Sequence, residues 1–94
     1  MKLVWARFAL EDREAIFVHI EKENPQAAAR VDEEIVRSAR RLIDFPESGR
    51  LGRIAGTREL VIPRLPYIAA YVALTDRVRI LRILHSAQIW PDEL

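Results

Sequence analysis

Arginine is the residue type in this chain that is most clearly placed to do chemistry. The segment from Gly49 to Pro91 contains seven Arg and no Lys, and its only acidic residues are Glu59 and Asp76. Guanidinium groups bind carboxylates and phosphates through paired hydrogen bonds. We therefore predict that this segment presents a cationic surface to an anionic partner.

Charge is distributed unequally between the two halves of the chain. Residues 1–48 hold eight basic and ten acidic side chains, a net charge of −2, whereas residues 49–94 hold seven basic and four acidic side chains, a net charge of +3. The excess is modest beside that of dedicated nucleic-acid-binding proteins. The length of 94 residues, half of them hydrophobic, predicts one folded domain over residues 1–94.

Several classes of protein are disfavoured by composition. The longest uncharged run is Leu65 to Thr75, eleven residues, whereas a membrane-spanning helix needs about 20. The N-terminal residues have no long apolar core typical of a signal peptide. The chain has two His and no Cys, so neither thiol chemistry nor a zinc site is predicted. We expect a cytoplasmic location, no membrane contact and no cofactor or metal.

Arg58 and Arg82 are predicted to lie on neighbouring strands, where they could bind a carboxylate or a phosphate. The alternative is that each forms an internal salt bridge, for example with Glu59 or Glu47.

Four other residues are candidates for binding or catalysis. Arg50 and Arg53 lie in a glycine-rich loop and are predicted to be exposed and to contact a partner. His85 ends the last predicted strand, where its imidazole could exchange a proton near neutral pH or could simply close the strand end onto the tail. Trp90 is predicted to pack on the core, with a stacking platform for a base as the alternative. His19 is predicted to be a solvent-facing or packing residue of a helix.

Periodicity and chain-breaking residues predict the elements that position these side chains. Asn24-Pro25 ends one helix and begins another, because Pro disfavours helical geometry in the preceding residue and suits the first turn of a helix. Gly49, Gly52 and Gly56 indicate a loop. The predicted elements are a strand at Lys2–Ala6, helices at Ala9–Glu23 and Pro25–Asp44, and strands at Thr57–Ile62, Tyr67–Leu74 and Arg77–His85.

This order predicts an α+β fold in which a helical hairpin packs on a small antiparallel sheet, with the first strand at an edge. Strict alternation along the last strand places Val78, Ile80, Arg82 and Leu84 on one face. Candidate residues for an apolar groove, shared with the core, are Leu10, Phe17, Ile20, Leu42, Ile68, Leu81 and Ile83.

Six blocks, in order along the chain, resemble the ParE-like branch of the RelE/ParE toxin superfamily. They are Asn24–Ala28, Phe45–Arg50, Gly56–Leu60, Pro66–Ile68, Ile80–Arg82 and His85–Pro91. The resemblance implies a βααβββ core and the toxin half of a type II toxin–antitoxin pair. It also implies neutralisation by a ParD-like antitoxin, inhibition of DNA gyrase by binding, contact with operator DNA only through the antitoxin, and no small-molecule substrate. On this interpretation no residue is confidently catalytic, and antitoxin or target binding is predicted for Arg50, Arg53, Arg58, Arg82, His85 and Trp90.

The alternative function is that of RelE relatives, which cut mRNA on the ribosome. In this chain the groups for that reaction would be His85, Arg58 and Arg82. The RelE pattern tends to place a cation where Ile68 stands, and it is basic where Ser86–Gln88 stands. These departures weigh against an enzyme without excluding one. An inactive relative of the toxins is a third interpretation.

Overall fold

The two helices and five strands follow one another in an order close to the predicted one. The structure is a computed structural model that describes residues 1–94. Its elements are β1 (Lys2–Trp5), α1 (Arg7–Glu21), α2 (Pro25–Arg40), β2 (Arg50–Leu51), β3 (Arg58–Val61), β4 (Tyr67–Ala73) and β5 (Arg77–His85). A turn of 3₁₀ helix at Arg41–Ile43 continues α2, so the predicted end at Asp44 is nearly reached. None of the helices is both long and apolar enough to cross a membrane.

The junction between the helices is capped as the sequence predicts. The Asn24 side chain accepts a hydrogen bond of 3.0 Å from the backbone N–H of Ala27, and Pro25 is the first residue of α2. This bond satisfies one of the N–H groups that have no partner within the helix. The two helices therefore form a tight hairpin, which packs on the sheet mainly through α1 against β5.

The sheet is mixed rather than wholly antiparallel, which corrects the prediction. Its strand order is β1-β5-β4-β3-β2, and β1 runs parallel to β5, with Leu3 opposite Val78 and Trp5 opposite Ile80. The remaining pairs are antiparallel. Because β2 occupies the free edge of β3, the only other edge available to β1 is that of β5. The α+β class and the helical hairpin on the sheet are confirmed.

Two local features of the sheet differ from the prediction. The glycine-rich segment contains the short strand β2, which pairs with β3 so that Arg50 lies opposite Glu59. In β5 the register shifts by one residue, because Tyr71 pairs with Ile80 whereas Ala70 pairs with Arg82. A bulge of this kind changes which residues share a face.

The bulge decides the composition of the core. Arg82 and Leu84 do not follow Val78 and Ile80 on one face as strict alternation predicted. Instead Ile83 joins them in the main cluster beneath the helices, which also contains Ala9, Ile35, Ala39, Leu42, Ile62, Ala69 and Tyr71. Ile68, Ala70 and Leu84 are buried outside this cluster. Three of the groove candidates, Leu42, Ile68 and Ile83, are thus buried side chains, whereas Leu10 is half exposed.

Candidate partner-binding surface on the sheet

One face of the sheet carries the exposed cations. Paired residues share a face, so the register places Lys2, Arg77 and Arg79 together with Val72 on the side opposite the helices. Arg50 belongs to the same side, because it pairs with Glu59 and Glu59 pairs with Ala70. We call this side the open face. Lys2, Arg50, Arg77 and Arg79 are all exposed, so the prediction of a cationic sheet surface agrees with the geometry.

Glu59 is the buried centre of this side of the molecule. Only 4% of its surface is exposed. One carboxylate oxygen accepts hydrogen bonds from Arg50 Nε and Nη2, at 3.2 and 3.0 Å. The other accepts them from the backbone N–H and the Nε of Arg53, at 2.9 and 3.1 Å. Sequence reasoning named Glu59 only as a possible partner of Arg58 or Arg82. The sequence did not predict the strand β2, and so it did not predict that Arg50 lies opposite Glu59.

Arg53 connects this carboxylate to the C-terminal tail. Its guanidinium lies 3.5 Å from the centroid of the Trp90 ring, and a cation stacked on an indole in this way is attracted by the ring electrons. The Trp90 Nε1–H points back to the carbonyl of His85, at 3.4 Å. We call Arg50, Arg53, Glu59 and Trp90 the tail clamp. It brings together three of the six predicted binding residues.

The electrostatics of the tail clamp keep Glu59 ionised. Burial raises the pKa of Glu59, but the hydrogen bonds from Arg53 and Arg50 together outweigh burial, so that the pKa lies below its ordinary value of 4.5. The carboxylate is therefore charged at neutral pH and holds both guanidinium groups in place.

His85 is positioned at the start of the clamped tail. Its Nδ1 accepts a hydrogen bond of 3.0 Å from the N–H of Ala87, and its backbone N–H donates to the Gln88 side chain at 2.7 Å. The ring stands edge-on to Tyr67, with the centroids 5.6 Å apart. The neutral imidazole must carry its proton on Nε2, because Nδ1 acts as an acceptor.

A small cleft beside His85 contains a residue that sequence reasoning did not associate with it. The cleft has a volume of about 250 Å³, and its lining includes Asp12, His19, Tyr67, His85 and Gln88. His19 is exposed, as predicted, but the packing of α1 on β5 brings it to the same cleft as His85. No group of three or more His, Asp or Glu side chains is arranged to hold a metal ion.

Arg58 and Arg82 do not lie on neighbouring strands, which corrects the prediction of their positions. They lie on β3 and β5, and β4 separates these strands. Arg58 pairs with Tyr71 on the helix side of the sheet, whereas Arg82 pairs with Ala70, the adjacent residue of β4.

Arg58 forms hydrogen bonds to the loop that precedes β2. Its Nη1 donates to the carbonyl oxygens of Gly49 and Glu47, at 2.9 and 3.3 Å. The Tyr71 hydroxyl donates to the carbonyl of Pro46 at 2.8 Å and accepts from the N–H of Gly49 at 2.9 Å. A Cβ at Gly49 would lie 2.6 Å from this tyrosine, so the close approach requires glycine.

Arg82 is neutralised by a carboxylate that the sequence did not identify. Its Nε and Nη2 donate to the two oxygens of Asp12, at 2.7 and 3.0 Å. Asp12 also accepts from the backbone N–H of Ile83 at 2.9 Å. The hydrogen bond to Asp12 raises the pKa of Arg82 despite partial burial. Arg82 forms no ion pair with Glu59 or Glu47, the predicted partners. Its ion pair with Asp12 joins β5 to α1.

Comparison with known proteins agrees with this architecture. The family model described as "ParE toxin of type II toxin-antitoxin system, parDE" matches residues 3–90. The chain is 43% identical over 93 residues to "Putative toxin Y4kP" of Sinorhizobium fredii, covering 99% of this chain and 96% of that protein. It is 38% identical over 88 residues to "Toxin RelE2" of Caulobacter vibrioides, covering 94% and 98% of the two chains.

A solved structure shows the same fold. It is described as "Chromosomal ParDE TA system from P. aeruginosa", and the match has a TM-score of 0.81 at 30% identity, over 90% of this chain and 95% of that one. The resemblance found in the six sequence blocks is thereby confirmed: the chain belongs to the ParE family of type II toxin–antitoxin toxins.

Proposed function

We propose that this toxin is neutralised by a ParD-like antitoxin and that the free toxin inhibits DNA gyrase by binding to it. The antitoxin part is supported by the similarity to a chain of a ParDE system. On this proposal the toxin reaches operator DNA only through the antitoxin, and it acts in the cytoplasm. The open face and the clamped tail are the surface that meets the target.

The observation that carries the proposal is the mixture of cationic and apolar groups exposed around the tail clamp. Arg50 and Arg53 keep 55% and 47% of their side chains exposed although both bind Glu59. Beside them, Val61 on β3 is 51% exposed and Ile89 in the tail is 97% exposed. Arginine is enriched at protein interfaces, and apolar side chains exposed beside it would be removed from water when a partner binds.

Gyrase inhibition can be tested with surface variants that leave the clamp intact. Arg79 is exposed on the open face and belongs to none of the ion pairs of the chain. In a supercoiling assay with purified gyrase, Arg79→Glu and Ile89→Asp should require several times more toxin for half inhibition. Arg40→Glu on α2 is the matched control, because Arg40 is exposed and unpaired on the other side of the molecule. Gyrase that supercoils normally at a large excess of unsubstituted toxin would reject this target.

A second candidate function, cleavage of ribosome-bound mRNA, is favoured by one observation. Both histidines of the chain line the cleft that also contains Tyr67 and Asp12, and His85 Nε2 makes no hydrogen bond within the chain. Two imidazoles in one cleft could share acid and base roles. However, Arg82 is neutralised by Asp12, and Arg58 lies on β3, outside the cleft, where it binds backbone carbonyls. Neither therefore supplies an unpaired cation that would stabilise the charge developing on a phosphate in this cleft.

Mapping of mRNA ends after toxin induction distinguishes the two candidates. New 5′ ends that disappear with His85→Gln, and with His19→Gln, would establish the nuclease. An unchanged transcript population during growth arrest would eliminate it.

A further inference from the structure

Three cations lie side by side at one end of the open face. Lys2 on β1 pairs with Arg77 on β5, and Arg79 follows two residues later on the same face of β5. Neighbouring strands lie about 4.8 Å apart, and alternate residues of one strand are about 6.7 Å apart. All three residues are exposed. We call Lys2, Arg77 and Arg79 the cationic strip.

The cationic strip carries positive charge that the chain itself does not compensate. Lys2 and Arg79 belong to none of the ion pairs. Only Arg77 is paired, with its chain neighbour Asp76 at 3.0 Å, and both side chains of this pair are exposed. Such a pair is weak because water screens it. The strip therefore has two free cations and a third that a competing anion can recruit.

The cationic strip is not part of a pocket. The five main clefts of the molecule include none of its residues. The residues that pair with Arg79 on either side, Val4 and Val72, are small and half-buried. Residues that dominate protein interfaces lie in well-packed pockets, whereas contacts to nucleic-acid phosphates are electrostatic and need no pocket. The strip therefore suits a phosphate backbone better than a protein surface.

We propose that the cationic strip contacts the phosphate backbone of duplex DNA. The inference deepens the proposed function and rests on it for the source of the DNA, because gyrase holds duplex DNA as its substrate. Each free cation would displace counterions from a phosphate. The contact would carry no sequence information, since every base pair presents the same phosphates. Recognition of operator sequences therefore stays with the antitoxin.

The contact is measured without gyrase, from the fluorescence anisotropy of a labelled twenty-base-pair duplex titrated with the full chain. With two phosphate contacts, the logarithm of the binding constant should fall with the logarithm of the salt concentration at a slope of about −1.8. Arg79→Gln should reduce this slope to about −0.9 and weaken binding about two- to fivefold.

Arg40→Gln is the matched control, because it removes an exposed arginine of α2 that belongs to none of the ion pairs. It should leave both the slope and the affinity unchanged. No detectable binding at low salt would overturn the proposal, and so would equal losses in Arg79→Gln and Arg40→Gln.

Asp76→Asn is the variant that should strengthen binding. It removes the carboxylate that accepts two hydrogen bonds from Arg77, and Asn is as well suited to a turn as Asp. With a third free cation the slope should steepen to about −2.7. The melting temperatures of Asp76→Asn and Arg79→Gln should stay close to that of the unsubstituted chain, because both residues are exposed. An unchanged slope in Asp76→Asn would overturn the assignment of Arg77 to the contact.

Two comparisons identify the partner. Duplex RNA of the same length that binds more tightly than the DNA would overturn the assignment to DNA. In the supercoiling assay, Asp76→Asn should inhibit gyrase at a lower toxin concentration than the unsubstituted chain. A toxin that binds the duplex but never inhibits gyrase would reject the gyrase proposal and leave the DNA contact standing. A toxin that inhibits gyrase without binding the duplex would overturn the DNA contact alone.

Discussion

Replacing Glu59 with Gln tests whether one buried carboxylate holds the tail to the sheet. The change keeps the size of the side chain but removes its charge and turns one acceptor oxygen into an NH₂ donor. One carboxylate oxygen of Glu59 accepts hydrogen bonds from Arg50, and the other accepts them from the backbone N–H and the Nε of Arg53. In either orientation of the Gln amide, at least two of these donors would face another donor.

The expected loss of stability follows from these contacts. A hydrogen bond to a charged group contributes about 1.5–3 kcal/mol when it is well shielded. Both guanidinium groups are about half exposed, so solvent screening reduces this value. With about 1 kcal/mol for each of two lost bonds, Glu59→Gln should lower the free energy of unfolding by about 2 kcal/mol. For a chain of this length the melting temperature should fall by roughly 8–16 °C.

Urea unfolding gives the change in stability, and NMR gives the change in the tail. The chain has only two Trp, and Trp90→Phe assigns their indole N–H signals. In Glu59→Gln the Trp90 signal should move, because Arg53 is no longer held over the ring. Glu23→Gln is the control, since Glu23 is exposed and belongs to none of the ion pairs. If the two variants unfold within about 0.5 kcal/mol of each other and the Trp90 signal does not move, the assigned role of Glu59 is wrong.

Three further predictions concern the same network and its surroundings. Stability should depend on the tail clamp only above the pH at which Glu59 protonates. Because the pKa of Glu59 is lowered, the difference in the free energy of unfolding between the unsubstituted chain and Glu59→Gln should be constant above about pH 4.5 and should shrink as the pH falls further. Unfolding curves measured from pH 7 to pH 3 would reveal this dependence. Asp12→Asn should lower the free energy of unfolding by about 2 kcal/mol, because it leaves the charge of Arg82 unpaired. Arg82→Gln in the same chain should recover part of this loss in a double-mutant cycle. Strictly additive losses would show that the two residues are not coupled. Tyr71→Phe should also lower the free energy of unfolding by about 2 kcal/mol, because the Pro46 carbonyl and the Gly49 N–H lose their partner. Hydrogen exchange at the Gly49 amide should accelerate. An unchanged exchange rate would contradict the anchoring role of Tyr71.

Local interactions explain why so much of the chain could be predicted without coordinates. The end of α1 and the start of α2 depend on Asn24, Pro25 and a hydrogen bond that spans three residues. The strands on either side of Pro63 and Pro66 depend on residues that cannot continue a ladder. The family resemblance rests on short blocks of the same local kind, which are read directly from the residue order.

The arrangement of the candidate surface depends on contacts between residues that are far apart in the chain. Asp12 and Arg82 are separated by 70 positions, and Glu59 meets Arg50 and Arg53 because β2 forms a hairpin with β3. The single-residue shift in β5 separates Arg82 from the core face and puts Ile83 there. Residue types and spacing therefore predicted which elements form and that the surface is cationic. Strand order, register and the bulge determined which arginines are free and which are paired. The face and the neighbours of a strand residue depend on the residue it pairs with, and that pairing is not a property of the local sequence.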